Sequence, residues 1–114
     1  MKKVSVLAED NGYEVAVLVS PGYGCGWYTW HHRKELIFAP NVVEKVLRCE
    51  SITIEDIAEV LEITVDEAEE EGLDLYTRPE LRVYWVKEND GFIIDEYDGA
   101  EAIILEKDMR FIYA

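Results

Sequence analysis

The sequence is poor in cysteine, poor in basic residues and without long apolar runs. Its two cysteines cannot form the disulfide framework of a small secreted scaffold. The apolar runs are much shorter than the ~20 residues of a membrane-spanning helix, and no secretory cleavage pattern follows the amino-terminal lysines. We therefore expect a cytoplasmic protein with reduced thiols and no association with a membrane.

The scarcity of basic residues also limits the class of partner. Twenty-five acidic against 11 basic residues give a formal net charge of −14. Residues 50–74 contain 11 acidic and no basic residues, whereas residues 21–48 contain four basic and two acidic ones, a balance of +2 (4 − 2). An acidic protein is repelled by phosphate backbones, so we expect no direct nucleic-acid binding. A local basic patch in residues 21–48 remains available to other partners.

The length and the order of patterns predict one α+β domain spanning residues 1–114. With 114 residues, 49% of them hydrophobic, the chain can build one core, and it shows no internal repeat or low-complexity linker. Strand-like patterns lie at both ends and helical periodicity lies between them. We expect an N-terminal hairpin, two to three short central helices and a C-terminal antiparallel meander, in a single layer of sheet packed against helices.

Local signals give the elements of this fold. The predicted hairpin joins residues 4–7 to 14–20 around Asp10-Asn11-Gly12, and its second strand is apolar on both faces, which is typical of a central strand covered on both sides. Three helices are predicted in residues 41–72, with N-caps at Asn41, Thr53 and Thr64 and a C-terminal stop at Gly72. Strand patterns then follow at residues 73–76, 81–86, 92–97, 102–105 and 109–113, of which the last four are predicted to form the meander.

The most unusual stretch is residues 21–34, which we call the glycine-aromatic segment. It holds three of the seven glycines, two of the three tryptophans and both histidines. Such large side chains next to flexible glycines indicate a packed loop, and loops at strand ends are favoured positions for binding sites. The candidate binding residues are Gly22, Gly24, Cys25, Gly26, Trp27, Tyr28, Trp30, His31, Arg33 and Lys34.

Part of this segment, Gly22-Tyr23-Gly24-Cys25-Gly26-Trp27-Tyr28-Thr29-Trp30, resembles the glycine-aromatic segment of certain short, uncharacterised proteins encoded by bacteriophages. Those proteins usually carry a small residue where this chain has Cys25. The likeness extends to residues 96–99, Glu-Tyr-Asp-Gly. The resemblance implies a cytoplasmic, phage-type accessory protein, and it carries no known family function.

Two functions of different classes fit the glycine-aromatic segment. Tryptophan, tyrosine and arginine most often anchor protein interfaces, so the first hypothesis is a non-catalytic module that binds a protein partner. The alternative is a small-ligand or nucleotide binder, either a binding protein or an enzyme. There the glycines would accept an anionic group, Trp27, Tyr28 or Trp30 would stack on a ring, and Arg33 and Lys34 would offset the charge.

No metal or cofactor is predicted. Cys25, His31, His32 and Cys49 lack the paired spacing of zinc ligands, so Cys49 is interpreted as a buried helix residue and Cys25 as a small loop residue. A nucleophilic pair of Cys25 with His31 or His32 lacks an orienting third group, and the sequence leans away from an enzyme.

Three further patterns bear on function. Residues 53–72 have a helix-turn-helix rhythm, but their acidity favours a packed helix pair, or an imitation of DNA toward a basic protein. The acidic residues Asp95, Glu96, Asp98 and Glu101 are interpreted as turn and edge-strand chemistry. The exposed edge of the predicted strand 110–113 suggests a homodimer in which Phe111 or Tyr113 is buried together with part of residues 27–30.

Overall fold

The computed structural model of the chain describes residues 2–8, 12–22 and 24–109. Three antiparallel strands, five short helices and a strand pair make up the described fold, and the predicted α+β class is confirmed. In chain order they are β1 (Ser5–Leu7), β2 (Tyr13–Val19), α1 (Tyr28–His31), α2 (Lys34–Ile37), α3 (Pro40–Leu47), α4 (Ile54–Leu61), α5 (Val65–Glu70), β3 (Arg82–Lys87), β4 (Phe92–Tyr97) and β5 (Ala100–Leu105). Two 3₁₀ helices, Leu73–Thr77 and Glu106–Asp108, complete the list.

The described strands form two antiparallel sheets, one with the order β1-β2-β3 and one made of β4 and β5. The sequence predicts that β3 continues into the C-terminal meander, but β3 pairs with β2 instead, with Ala16 opposite Trp85 and Leu18 opposite Val83. This pairing makes β2 the central strand, which its apolar character on both faces favours. The described meander is therefore the β4–β5 hairpin. The predicted strand 109–113 lies outside the described residues beyond Met109, as do Asp10 and Asn11 of the first turn.

The core lies around β2. Ala16 and Leu18 on one face join a buried cluster that includes Trp27, Leu36 and Ile57 from the helical region. The valines on the other face, Val15, Val17 and Val19, are buried as well. The prediction of a strand covered on both sides is confirmed, and β2 delivers the chain into the glycine-aromatic segment from a fixed position.

The predicted caps of α4 and α5 are confirmed. Thr53 and Asp56 form a capping box at α4, and Thr64 and Glu67 form a second one at α5. Burial tends to raise the pKa of Asp56, but hydrogen bonds from Lys45 and Thr53 favour the carboxylate more strongly and lower its pKa overall. These caps are local in sequence, which is why the sequence predicts them well.

Two predictions are wrong for physical reasons, one of the start of a helix and one of a strand. The first central helix begins at Pro40 instead of after Asn41, because proline lacks the N–H that the first turn leaves unpaired. The amide of Asn41 instead donates to the backbone oxygen of Asp56 at 3.1 Å. The expected strand at residues 73–76 is a 3₁₀ helix: Gly72 turns the chain with a φ of +75°, and the Thr77 hydroxyl donates to the oxygen of Asp74 at 2.7 Å.

Two connections were open or different in the sequence. The short apolar pattern of residues 35–38 fits either a strand or a segment that covers the core, and the structure has the short helix α2 there, with Leu36 and Ile37 buried in the core. The pattern Asn89-Asp90-Gly91 predicts a hairpin turn, but this turn joins two strands of different sheets. In the described part of the chain, no helix combines the length and the apolar character that crossing a membrane requires.

Candidate functional site

The glycine-aromatic segment begins where the end of β2 is bonded to the start of β5. The backbone N–H of Glu101 donates to the oxygen of Ser20 at 2.7 Å, and the Ser20 N–H donates to Oε1 of the Glu101 side chain at 3.0 Å. The Ser20 hydroxyl donates to the oxygen of Gly99 at 3.1 Å. The two sheets are therefore joined at the point from which the segment departs.

Glu101 is the residue that fixes the segment. Its side chain is buried, and its second oxygen, Oε2, accepts from the N–H and the hydroxyl of Thr29 at 2.8 and 2.7 Å. A buried carboxylate is costly unless it is hydrogen-bonded, and these donors together with Ser20 satisfy it. Glu101 thus orders the start of α1 and is not a turn residue like Asp98. The signal in the sequence is its place on the same strand face as Ile103 and Leu105, where an unpartnered carboxylate would be unfavourable.

Two glycines bring the segment against the tip of the β4–β5 hairpin. The N–H of Gly24 donates to the oxygen of Asp98 at 2.8 Å, and a Cβ atom on Gly99 would collide with the backbone of Gly24. Gly24 and Gly99 have φ angles of +112° and +85°, which side chains rarely adopt. A third glycine, Gly26, lies under the ring of Trp30. These glycines serve close packing, and the N–H of Gly24 is already donated within the protein.

The two tryptophans of the segment have opposite roles. Trp27 is fully buried, and its indole N–H donates to the oxygen of Leu36 at 3.3 Å. Trp30, three residues later, is 43% exposed on the surface. Tyr28 is half-buried between them. Trp27 therefore packs the core and has no exposed face on which a ligand could stack, whereas Trp30 is presented to solvent.

His31 lies among aromatic rings at the end of α1. Its ring centroid is 4.9 Å from that of Trp27 and 5.1 Å from that of Tyr76, both in edge-to-face geometry. Nδ1 accepts the N–H of Arg33 at 2.9 Å, so the proton of the neutral ring is on Nε2, which is buried and has no conventional partner among the described residues. Burial, reinforced by the positive charge of Arg33 and by His32, lowers the pKa of His31 to about 4. The ring is neutral at physiological pH and acts as a packing group.

Cys25 does not have the surroundings of a nucleophile. The thiol is half-buried and donates to the oxygens of Gly26 and Leu75 at 3.3 and 3.8 Å. Burial and the nearby charge of Glu101 raise the pKa of Cys25, and Arg78 opposes them only in part. The other cysteine, Cys49, is exposed just beyond α3 with a φ of +57°, which corrects its interpretation as a buried helix residue.

The basic residues of the segment are only partly available. Arg33 forms a salt bridge of 3.0 Å with Glu71 at the end of α5, so it ties the segment to the acidic helices. Lys34 and His32 are exposed. Elsewhere in residues 21–48, Lys45 binds Asp56 at 2.8 Å, so the predicted basic patch is partly neutralised by residues 50–74.

A small cavity lies beside the segment. It has a volume of about 310 Å³, at the low end for ligand sites. Its lining comprises Ser20, Gly22, Cys25, Leu75, Arg78, Pro79 and Glu80. Of the candidate residues, Gly22 and Cys25 therefore line this cavity, whereas Trp27 lies in the core and Trp30 on the surface.

The described residues around the segment include no group of metal-ligating side chains. Over residues 2–8, 12–22 and 24–109, no group of three or more histidine, cysteine or acidic side chains is placed to hold a metal ion. The segment is hydrogen-bonded to the β4–β5 hairpin through Thr29 and Gly24. No protein-family model matches the chain, and no curated protein or solved structure shows detectable similarity to it.

Proposed function

We propose that this protein is a non-catalytic protein-interaction module that contacts its partner through Trp30 and the neighbouring exposed residues of the glycine-aromatic segment. The observation that carries the proposal is the difference in burial between the two tryptophans. Trp27 is buried and bonded to Leu36, while Trp30 is 43% exposed on the same short helix region. An exposed tryptophan on a rigid support is the kind of residue that anchors interfaces.

The rigid support comes from Glu101. Its hydrogen bonds to Thr29 and Ser20 hold α1 against the β4–β5 hairpin in the absence of a partner. A surface that is already ordered loses less conformational entropy on binding, which favours affinity. The resemblance of residues 22–30 to phage-encoded proteins supports the further proposal of a cytoplasmic, phage-type accessory role.

A small-ligand function is the second candidate, and the cavity beside Cys25 is the observation that favours it. Its volume of about 310 Å³ and the guanidinium of Arg78 suit a small anion better than a nucleotide. Trp27 contributes nothing to such a site because it is buried. Titration with phosphate and with nucleotides, followed by amide chemical shifts of residues 22–25 and 75–80, separates this candidate from the first.

The homodimer remains a prediction, because the strand 110–113 on which it depends lies outside the described residues. Two copies would carry a combined formal charge of −28 (2 × −14), so added salt should favour association. Sedimentation equilibrium at low and moderate salt decides between monomer and dimer. A monomer of 13.2 kDa at every concentration would exclude the dimer.

The direct test of the interaction function is affinity capture from host lysate with the intact protein and two matched variants. Trp30→Ala removes the exposed indole of the segment, and Tyr84→Ala removes a 45% exposed aromatic ring on β3 as the control. We expect a partner that is retained by the wild type and by Tyr84→Ala and lost with Trp30→Ala. Capture that is equal for all three proteins, or absent at several salt concentrations, would contradict the proposal.

A further inference from the structure

A second cavity shares one wall with the cavity beside Cys25, because residues 78–80 line both. The rest of its lining comes from the end of α3 and the loop that follows it, and from residues 77 and 81. We call it the Cys49 cavity. Its volume of about 360 Å³ lies within the range of small-ligand sites. No residue of the glycine-aromatic segment lines it, so it is a separate feature of the surface.

Two helix ends form the walls of the Cys49 cavity. Cys49 has a φ of +57°, and the N–H of Glu50 donates to the oxygen of Lys45 at 2.8 Å, so the chain turns away from α3 at this point. On the other side the 3₁₀ helix ends at Thr77, and Pro79 has no N–H with which to continue it. The shape of the cavity is therefore set by backbone geometry.

The base of the Cys49 cavity is apolar. Ile52 and Leu81 are each 8% exposed and belong to the buried core, and Val46 packs against that core. All three side chains are aliphatic and line the cavity. A ligand that covers them removes apolar surface from water, which favours an aliphatic group in this part of the site.

Charged side chains of both signs line the same cavity. Arg78 and Glu80 are exposed and are separated in the chain only by Pro79. Within residues 2–8, 12–22 and 24–109, neither side chain forms a salt bridge. The third charged lining residue, Glu50, is neutralised by Arg48 at 3.3 Å. The cavity thus offers one unpaired cation and one unpaired anion beside an aliphatic base.

This combination of groups selects a zwitterion. A guanidinium such as that of Arg78 binds a carboxylate through two parallel hydrogen bonds, and a carboxylate such as that of Glu80 accepts from an ammonium group. A ligand with a carboxylate alone would be repelled by Glu80 and by the net charge of −14, whereas a zwitterion carries no net charge. An aliphatic amino acid has the carboxylate, the ammonium and the apolar side chain on one carbon atom.

We propose that the Cys49 cavity binds a free amino acid with an aliphatic side chain. Its carboxylate pairs with Arg78, its ammonium group pairs with Glu80, and its side chain covers the aliphatic base. The inference goes beyond the proposed function, because Trp30 does not line this cavity. Since Arg78 also lines the cavity beside Cys25, a small anion bound there would compete for the same guanidinium.

The test is a titration of the intact protein with L-leucine, followed by the amide chemical shifts of residues 46–52 and 77–81. We expect saturable shifts with a dissociation constant below about 1 mM. Three compounds each lack one group of leucine: 4-methylpentanoate lacks the ammonium, 3-methylbutylamine lacks the carboxylate, and glycine lacks the side chain. Each should bind at least about tenfold more weakly than leucine.

Matched variants assign the two charges. Arg78→Gln and Glu80→Gln should each weaken leucine binding by roughly tenfold, and because both residues are exposed, urea unfolding should show that both variants stay folded. Arg78→Gln should leave 3-methylbutylamine unaffected, and Glu80→Gln should not weaken 4-methylpentanoate. Arg82→Gln and Glu55→Gln, exposed residues outside the cavity, should bind leucine like the wild type.

Four outcomes overturn the inference. The first is the absence of saturable shifts with leucine up to about 10 mM. The second is equal binding of leucine and 4-methylpentanoate, which would show that the ammonium has no partner, and the third is undiminished leucine binding by both cavity variants. The fourth is a set of shifts confined to residues 20–25, which would place the ligand in the cavity beside Cys25. None of these results affects capture through Trp30, so the proposed function is tested separately.

Discussion

The carboxylate of Glu101 accepts two hydrogen bonds from Thr29, one from its backbone N–H at 2.8 Å and one from its hydroxyl at 2.7 Å. The two residues are 72 positions apart in the chain. Through this contact the last described strand controls the geometry of a helix in the first third of the sequence. Any change to the carboxylate should therefore alter the structure of the glycine-aromatic segment.

Glu101→Gln should destabilise the protein by about 1–3 kcal/mol, because an amide nitrogen replaces one acceptor oxygen and leaves a buried donor without a partner. Urea unfolding measures the loss, and the amide signals of residues 27–31 should move. Glu55→Gln, on the exposed side of α4, is the control and should change the free energy of unfolding by less than about 0.5 kcal/mol. Equal stability of both variants would show that the carboxylate does not hold the segment.

Gly99→Ala should be more damaging than Gly72→Ala. Both glycines have positive φ, +85° and +75°, so each alanine variant suffers backbone strain of roughly 1 kcal/mol. A Cβ atom at Gly99 also collides with the backbone of Gly24, whereas the space around Gly72 is open. Thermal unfolding should show the additional loss only for Gly99→Ala. Equal midpoints for the two variants would contradict the close approach of hairpin and segment.

Trp27→Ala and Trp30→Ala should separate stability from surface function. Loss of the buried Trp27 side chain should cost about 3–5 kcal/mol, while loss of the exposed Trp30 should cost less than about 1 kcal/mol. Guanidinium unfolding followed by circular dichroism measures both values. A large loss with Trp30→Ala would mean that this indole supports the fold and is not a free contact residue.

His31 should make stability depend on pH in a specific range. Its pKa is about 4 in the folded protein and about 6.5 in the unfolded chain, so between these values only the unfolded chain takes up the proton. The contribution of the neutral His31 ring to the free energy of unfolding is fully present above pH 6.5 and is lost as the pH falls toward 4. Allowing for partial solvent exposure, we expect about 2 kcal/mol.

The comparison that isolates this effect is His31→Phe, which keeps an aromatic ring but cannot titrate. The decrease in the free energy of unfolding between neutral pH and about pH 4.5 should be smaller for this variant than for the wild type, by on the order of 1–2 kcal/mol. Identical decreases for the two proteins would assign the acid sensitivity to the carboxylates alone.

The elements that the sequence predicts correctly depend on neighbours in the chain. The capping boxes at Thr53 and Thr64 are each closed by a residue three positions later, and at the Asp98-Gly99 turn the N–H of Gly99 donates to the side chain of Glu96, three positions earlier. The strand β2 is recognisable because both of its faces are apolar. In these cases local conformational preferences and tertiary contacts favour the same secondary structure.

The features that sequence reasoning missed depend on distant partners. Nothing near Glu101 indicates that its acceptors are filled by Ser20 and Thr29, and nothing near Trp27 distinguishes it from Trp30 until Leu36 supplies an acceptor for its indole. The pairing of β3 with β2 joins residues about 70 positions apart, as Ala16 opposite Trp85 shows. Composition identifies the candidate segment, but the roles of its residues are set by contacts with residues that are distant in the sequence.

The contact between Glu101 and Thr29 also affects when the glycine-aromatic segment can fold during synthesis of the chain. The groups that fix residues 21–34, Glu101 and the turn at Asp98-Gly99, are synthesised about 70 residues after them. Contacts of such long sequence separation form late because the intervening chain must first be closed into a loop. The glycine-aromatic segment is therefore made well before the hairpin that fixes it, and these contacts can form only after that hairpin has been synthesised.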